Sequence, residues 1–267
     1  TFPNIYYLLF DEYSSNEFMK KYYNYDNSAF TKYLERIGFN VSYTSHNESI
    51  LSSTIITNYV NLDYLVTNNT SELEKESLRH NNLLFKLLRE KNYTITGIGN
   101  SDFFGLENVV EYSSSNAKTV EGDTLESLIW AKTIIYPFIK KNYSENVTLI
   151  LNSVDYIKDL KLSTNKSQFI LLYLTPSHTP FSFDENGNML HSGFTNWKDK
   201  KYYLGTHRYT TKLITEIIDS IIKTDPNSII ILQSDHSARA SSDSDLFMEI
   251  FELEDMSNLF NAVYFCG

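Results

Sequence analysis

The sequence predicts a three-layer α/β/α sandwich around a mostly parallel central sheet. Three observations carry that reading. Unbroken apolar runs of strand length recur along the chain, amphipathic helical stretches alternate with them, and several of the runs end on carboxylate or histidine side chains. Continuous apolar runs suit strands buried on both faces, as parallel strands are. Strands that alternate with helices then pack most economically as a sheet covered on its two sides.

Each element follows in order. Asn4-Ile5-Tyr6-Tyr7-Leu8-Leu9-Phe10 is the first run, and Asp11-Glu12 follows at once. Phe30, Tyr33, Leu34 and Ile37 fall at i, i+3, i+4 and i+7, one face of a helix, with Gly38 as its stop. Residues 39–43 resume as strand. A helix is expected over 72–90 with Leu83, Leu84, Leu87 and Leu88 as its stripe, then a strand over 93–98 leading into Gly99-Asn100. The stretch 103–166 is expected to form a cap or lid within one domain, 1–267. There, 125–139 reads as helical up to Pro137, and 147–160 reads as a helix or as a strand plus helix. Gln168 to Leu174 is a buried strand, followed by Thr175-Pro176-Ser177-His178-Thr179-Pro180. A long helix is expected over 202–223, with Leu213, Ile214, Ile217, Ile218, Ile221 and Ile222 on one side. Asp225-Pro226-Asn227 turns the chain into a strand over 228–232, which runs out at Gln233-Ser234-Asp235-His236. The closing Val263-Tyr264-Phe265-Cys266-Gly267 again has strand character, so a domain excised or C-terminally truncated from something longer is expected.

Composition narrows the chemistry. In 267 residues there are 23 Lys+Arg against 33 Asp+Glu, a formal net charge of -10. Such an acidic chain is not a general nucleic-acid binder, which works by neutralising phosphates. An anionic substrate would need a local positive centre, such as a metal ion. One cysteine, Cys266, can form neither an internal disulfide nor a thiolate zinc cluster. No run approaches the roughly 18 apolar residues of a membrane span, so any membrane association would come from segments outside this chain.

In open α/β sheets, sites form beyond the carboxyl ends of the strands. Those ends carry Asp11-Glu12, Gly99-Asn100, His178 and Asp235-His236. A lone Asp after a strand is commonly a turn or cap residue, and a lone loop His is commonly only packed. Their joint appearance at one sheet edge is what points to a divalent ion, since carboxylate oxygen and imidazole nitrogen together suit Zn, Mn or a similar cation.

Pro3 to Asp11 resembles the opening strand and metal-binding Asp of the sulfatase / alkaline phosphatase superfamily, and Ile229 to Ser237 resembles its late strand and Asp-His pair. The order of further segments is similar to that of bacterial membrane-anchored sulfatase-like proteins, the lipoteichoic acid synthase and phosphoethanolamine transferase branch. These segments are Tyr25-Asp26-Asn27-Ser28, Gly38-Phe39, Asn61-Leu62-Asp63-Tyr64-Leu65, His178-Thr179-Pro180-Phe181, Phe183-Asp184-Glu185-Asn186-Gly187 and Asn261-Ala262-Val263-Tyr264. The resemblance implies an alkaline phosphatase-like fold and one divalent metal ion (Mn, Zn or Mg) held by Asp11, Asp235 and His236. It implies a hydroxyl nucleophile at Ser52, with Ser53 and Thr54 left open, and His178 as the histidine that contacts the anion or protonates the leaving group. Arg239, just past the Asp-His pair, would supply a fork to the anion. The Ser/Thr-rich segment around Ser52 also reads as a helix start; the two readings agree, because a helix N-terminus favours anions.

The resemblance implies a hydrolase or transferase acting on a phosphoester, less readily a sulfate ester, of a cell-envelope lipid or glycan on the extracytoplasmic side of a bacterial membrane. Neither Ser52 nor Cys266 has the Pro- and Arg-containing signature of formylglycine sulfatases, which argues against ordinary sulfatase activity. Ser237 stands where relatives commonly carry Gly, and Glu12 where they carry Gly or Asp. The alternative expectation is therefore a degenerate, non-catalytic domain that binds an envelope ligand or protein partner.

Overall fold

A computed structural model describes residues 2–45, 82–107, 109–110, 145–163, 165–178, 181–190, 200–238 and 258–265. Its centre is a six-stranded sheet: β1 (Ile5–Phe10), β2 (Phe39–Ser45), β3 (Thr94–Gly99), β4 (Gln168–Leu174), β5 (Ile229–Ser234) and β6 (Asn258–Phe265). The spatial order is β2-β6-β5-β1-β4-β3. β1 pairs in parallel with β4 and β5, and β3 with β4. β6 is antiparallel to both its neighbours, β2 and β5. It is the one reversed strand, and it extends the C-terminal strand character seen in sequence back to Asn258.

The parity of β1 shows why two layers must cover it. Tyr6, Leu8 and Phe10 join one core cluster, whereas Tyr7 and Leu9 join another, and all five are nearly inaccessible. The first cluster is completed by α2 (Ser28–Arg36), α4 (Glu145–Lys158) and α5 (Lys200–Thr224), through Phe30, Leu34, Val147, Ile150, Val154, Leu213, Ile214, Ile217, Ile218 and Ile221. Ile222 packs against that cluster partly buried. The opposite face is covered by α3 (Leu83–Glu90) and a 3-10 turn (Ser101–Phe104), through Phe85, Leu88 and Phe104. This is the expected sandwich. The stretch 103–166, where a cap was expected, lies largely outside the described residues; its described helix α4 packs into the main core.

Local chemistry sets the helix ends. Asn82 is extended and its side chain accepts from Phe85 N at 2.8 Å, so α3 starts at Leu83; residues 72–81 of the expected helix lie outside the described residues. A short helix not foreseen in the sequence, α1 (Asn16–Tyr23), follows β1. It is capped by Ser15, whose side chain accepts from Phe18 N at 3.3 Å. Its Phe18 and Met19 join Phe181, Tyr203 and Ala238 in a small separate cluster beyond the strand ends.

Candidate metal centre

Strand register builds the site. β1 and β5 are parallel neighbours with Phe10 opposite Ser234, so the next residue on each, Asp11 and Asp235, emerges side by side. Asp11 N donates to Leu174 O at 2.9 Å, which carries the pairing of β1 one residue past its end. His236 follows directly. Its Nε2 lies 3.0 Å from Asp11 Oδ1 and 3.8 Å from Asp235 Oδ2. One ligand atom from each of the three residues lies within 4.8 Å of the others, and all three side chains are buried.

Neighbouring groups orient these atoms. His236 Nδ1 lies 2.8 Å from Ser237 O. A carbonyl only accepts, so Nδ1 carries the hydrogen and Nε2 points at the two carboxylates. Asp235 Oδ1 accepts from Glu12 N at 3.2 Å and from His236 N at 2.7 Å, and Asp235 Oδ2 accepts from Tyr173 OH at 3.0 Å. Glu12 can aim its N–H there because its backbone is left-handed, φ 55°, a conformation that costs energy for a residue with a Cβ. The turn is braced from α5. Tyr203 OH donates to Glu12 O at 2.6 Å, Ser14 Oγ lies 2.8 Å from the same hydroxyl, and Ala238 N donates to Ser14 Oγ at 2.9 Å.

The electrostatics suit a cation. Burial is the largest influence on Asp11 and opposes its charge, but the contact with His236 and the fields of His236 and His178 outweigh it and hold the carboxyl below its usual range. Burial, then the charge of Asp11, pushes Asp235 up to about 7. Burial would lower His236, yet the contact with Asp11 and the charges of Asp235, Asp11 and Glu12 push it up to about 9. Two buried carboxylates sharing one site resist being ionised together unless positive charge stands between them. Asp11 Oδ1 is buried and, among the described residues, has no hydrogen-bond partner of good geometry despite its closeness to His236 Nε2. An unsatisfied carboxylate oxygen, a second carboxylate and an imidazole Nε2 make a three-ligand set that fits a divalent ion with a position left over for a hydroxyl or substrate.

Of the other expected site residues, His178 sits half-buried on the loop after β4, with its N donating to Thr175 O at 3.3 Å. It stands close enough for its field to act on Asp11 but is outside the three-residue group. Ser52, Ser53, Thr54 and Arg239 lie outside the described residues. His207 lies outside that group as well, stacked on Tyr13 at 4.4 Å, with Nε2 3.1 Å from Ser14 O.

The family model for sulfatases matches residues 3–255. The chain belongs to the sulfatase family. Several solved structures share the fold of this sulfatase-family chain at low identity. The C-terminal periplasmic domain of EcEptC from Escherichia coli, solved in complex with Zn, is 13% identical with a TM-score of 0.56, covering 99% of this chain and 73% of that one. The phosphoglycerol transferase GacH of Streptococcus pyogenes, in complex with sn-glycerol-1-phosphate, is 12% identical with a TM-score of 0.55, covering 98% and 68%. A protein of the alkaline phosphatase superfamily from Vibrio parahaemolyticus is 15% identical with a TM-score of 0.58, covering 98% of this chain but 59% of that one. No curated protein matches. Structural neighbours at this level of identity thus include a 2-O GAG sulfatase, a phosphoethanolamine transferase and a phosphoglycerol transferase, and one is a zinc complex.

Proposed function

We propose that this chain is a metal-dependent hydrolase or transferase acting on a phosphoester of a cell-envelope lipid or glycan, with Ser52 as nucleophile. The observation that supports it most is the convergence of Asp11, Asp235 and His236 with a buried, unsatisfied Asp11 oxygen facing the other two. In this reading those three residues hold one divalent ion, the imidazole favouring Zn and the two carboxylates admitting Mn or Mg. When bound, the ion would stabilise a serine alkoxide and draw charge from a non-bridging phosphoryl oxygen.

The chain's own residues would do the rest. Ser52 Oγ, as alkoxide, forms a bond to phosphorus while the bond from phosphorus to the leaving oxygen breaks. His178 gives that oxygen a proton, and Arg239 holds the equatorial oxygens. In the second half, water or an acceptor hydroxyl attacks the phosphoseryl group, passes its proton to His178, and frees Ser52 Oγ. Water makes the reaction a hydrolysis, and an acceptor hydroxyl makes it a transfer. Glycerophosphate and phosphoethanolamine groups are the phosphoesters named for structurally similar transferases, which favours this substrate class. An extracytoplasmic location is proposed on the same footing, from the periplasmic domain of EcEptC; no described helix is long and apolar enough to cross a membrane.

The test pairs metal content with turnover of an activated phosphodiester. Ser52→Ala should abolish turnover and leave metal uptake intact; unchanged turnover removes Ser52 from the role. A chain that takes up neither Zn nor Mn is the degenerate binding domain instead.

A further inference from the structure

We infer that Tyr173, a residue inside an apolar strand, is a positioning residue that sets the plane of the Asp235 carboxylate for cation binding. This rests on the metal reading above. The two backbone donors to Asp235, Glu12 N and His236 N, both fall on Oδ1. They anchor one oxygen, about which concerted changes of χ1 and χ2 still displace the other. Oδ2, the oxygen 3.8 Å from His236 Nε2, is held by the Tyr173 hydroxyl at 3.0 Å. With both oxygens engaged the carboxylate resists that displacement, and three of its roughly four acceptor directions are taken by described donors. A ligand held in this way enters the coordination sphere already oriented.

The phenol is itself rigid. Tyr173 is 4% exposed, and the rings of Phe103 and Phe104 meet it edge-on, each at 5.9 Å, with interplanar angles of 84° and 87°. Its carbonyl accepts from Asn100 N at 2.8 Å, and its backbone pairs with Leu9 on one side and Gly99 on the other. Phenylalanine would fill the same space without burying a hydroxyl. The oxygen is explained by its partner, and that partner is a candidate ligand.

The substitution Tyr173→Phe removes the oxygen and keeps the ring. We expect the dissociation constant for Mn²⁺, measured calorimetrically on the whole chain, to rise about tenfold or more. The visible absorption of the Co²⁺-loaded chain should change in position or intensity, because the ligand geometry changes. Melting of the metal-free variant should stay within a few degrees of wild type. Affinity within about twofold of wild type with an identical Co²⁺ spectrum would make Tyr173 a core residue only and overturn the inference, leaving the metal site standing. A wild-type chain that binds neither ion overturns both.

Discussion

Asp11 cannot draw on water to satisfy its charge, and Asp235 beside it makes matters worse. Burying one ionised carboxylate costs several kcal/mol unless it is paired, and two in a single site repel. A divalent ion should therefore stabilise the fold measurably: at a hundred times its dissociation constant, by about 2.7 kcal/mol. Asp11→Asn keeps the shape and removes the charge. Thermal melts of this variant with added Mn²⁺ should show about half of the wild-type rise or less, the affinity loss being tenfold or more, which is about 1.4 kcal/mol or above. An equal rise in the variant would take Asp11 out of the ligand set. Asp11, Asp235 and His236 were legible in the sequence because each ends a strand at the edge where such sheets carry their sites. Tyr173 was not, since a tyrosine in the run Gln168–Leu174 reads as packing; only its register beside Gly99 and near the strand end hints at more. Nor was the role of Glu12, which acts through a backbone N–H aimed by a left-handed φ that no side-chain pattern reveals.

Elements with strong periodicity and clear stops were readable; those defined by a cap were not. α2 announces itself through Phe30, Leu34 and the glycine after it, and Gly38 indeed adopts φ 102°. α1 is eight residues of Asn, Glu, Lys, Met and aromatics with two buried positions, too little pattern to see without its Ser15 cap. Ser15→Ala should cost about 1 kcal/mol, read as a lower urea midpoint. A larger loss is expected at the end of β3. Gly99 has φ 74°, and a Cβ there would collide with the Tyr173 carbonyl oxygen. Gly99→Ala combines an unfavourable backbone region with a clash against main chain, so a loss of about 1–3 kcal/mol is expected. Because the colliding atom belongs to Tyr173, the variant should also bind Mn²⁺ more weakly than Ser15→Ala does, although neither residue is a candidate ligand.

At the scale of the molecule, the layered α/β/α plan follows from alternating strands and helices, but strand order and the reversal of β6 do not, because apolar runs look alike whichever way they point. Among the described residues, the same plan also buries a histidine outside the candidate metal cluster. His207 on α5 is fully inaccessible. It is packed by Tyr13 at 4.4 Å, Tyr203 at 5.9 Å and Tyr25 at 6.3 Å, its Nε2 faces Ser14 O, and Arg208 is the next residue. Burial is the main reason its pKa falls to about 4, with Arg208 adding to the fall and Ser14 opposing it. The folded value is below the unfolded one, so the unfolded chain binds more protons between about 6.5 and 4, and stability falls as pH drops through that window. A shift of this size corresponds to about 3 kcal/mol. Asp235 and His236, raised in the metal-free fold, act in the opposite sense, losing stability as pH rises. The difference between wild type and His207→Gln cancels them. Urea denaturation at pH 7 and at pH 4 should therefore show wild type losing about 3 kcal/mol more than the variant, whereas equal losses would mean that His207 is not held neutral by the fold.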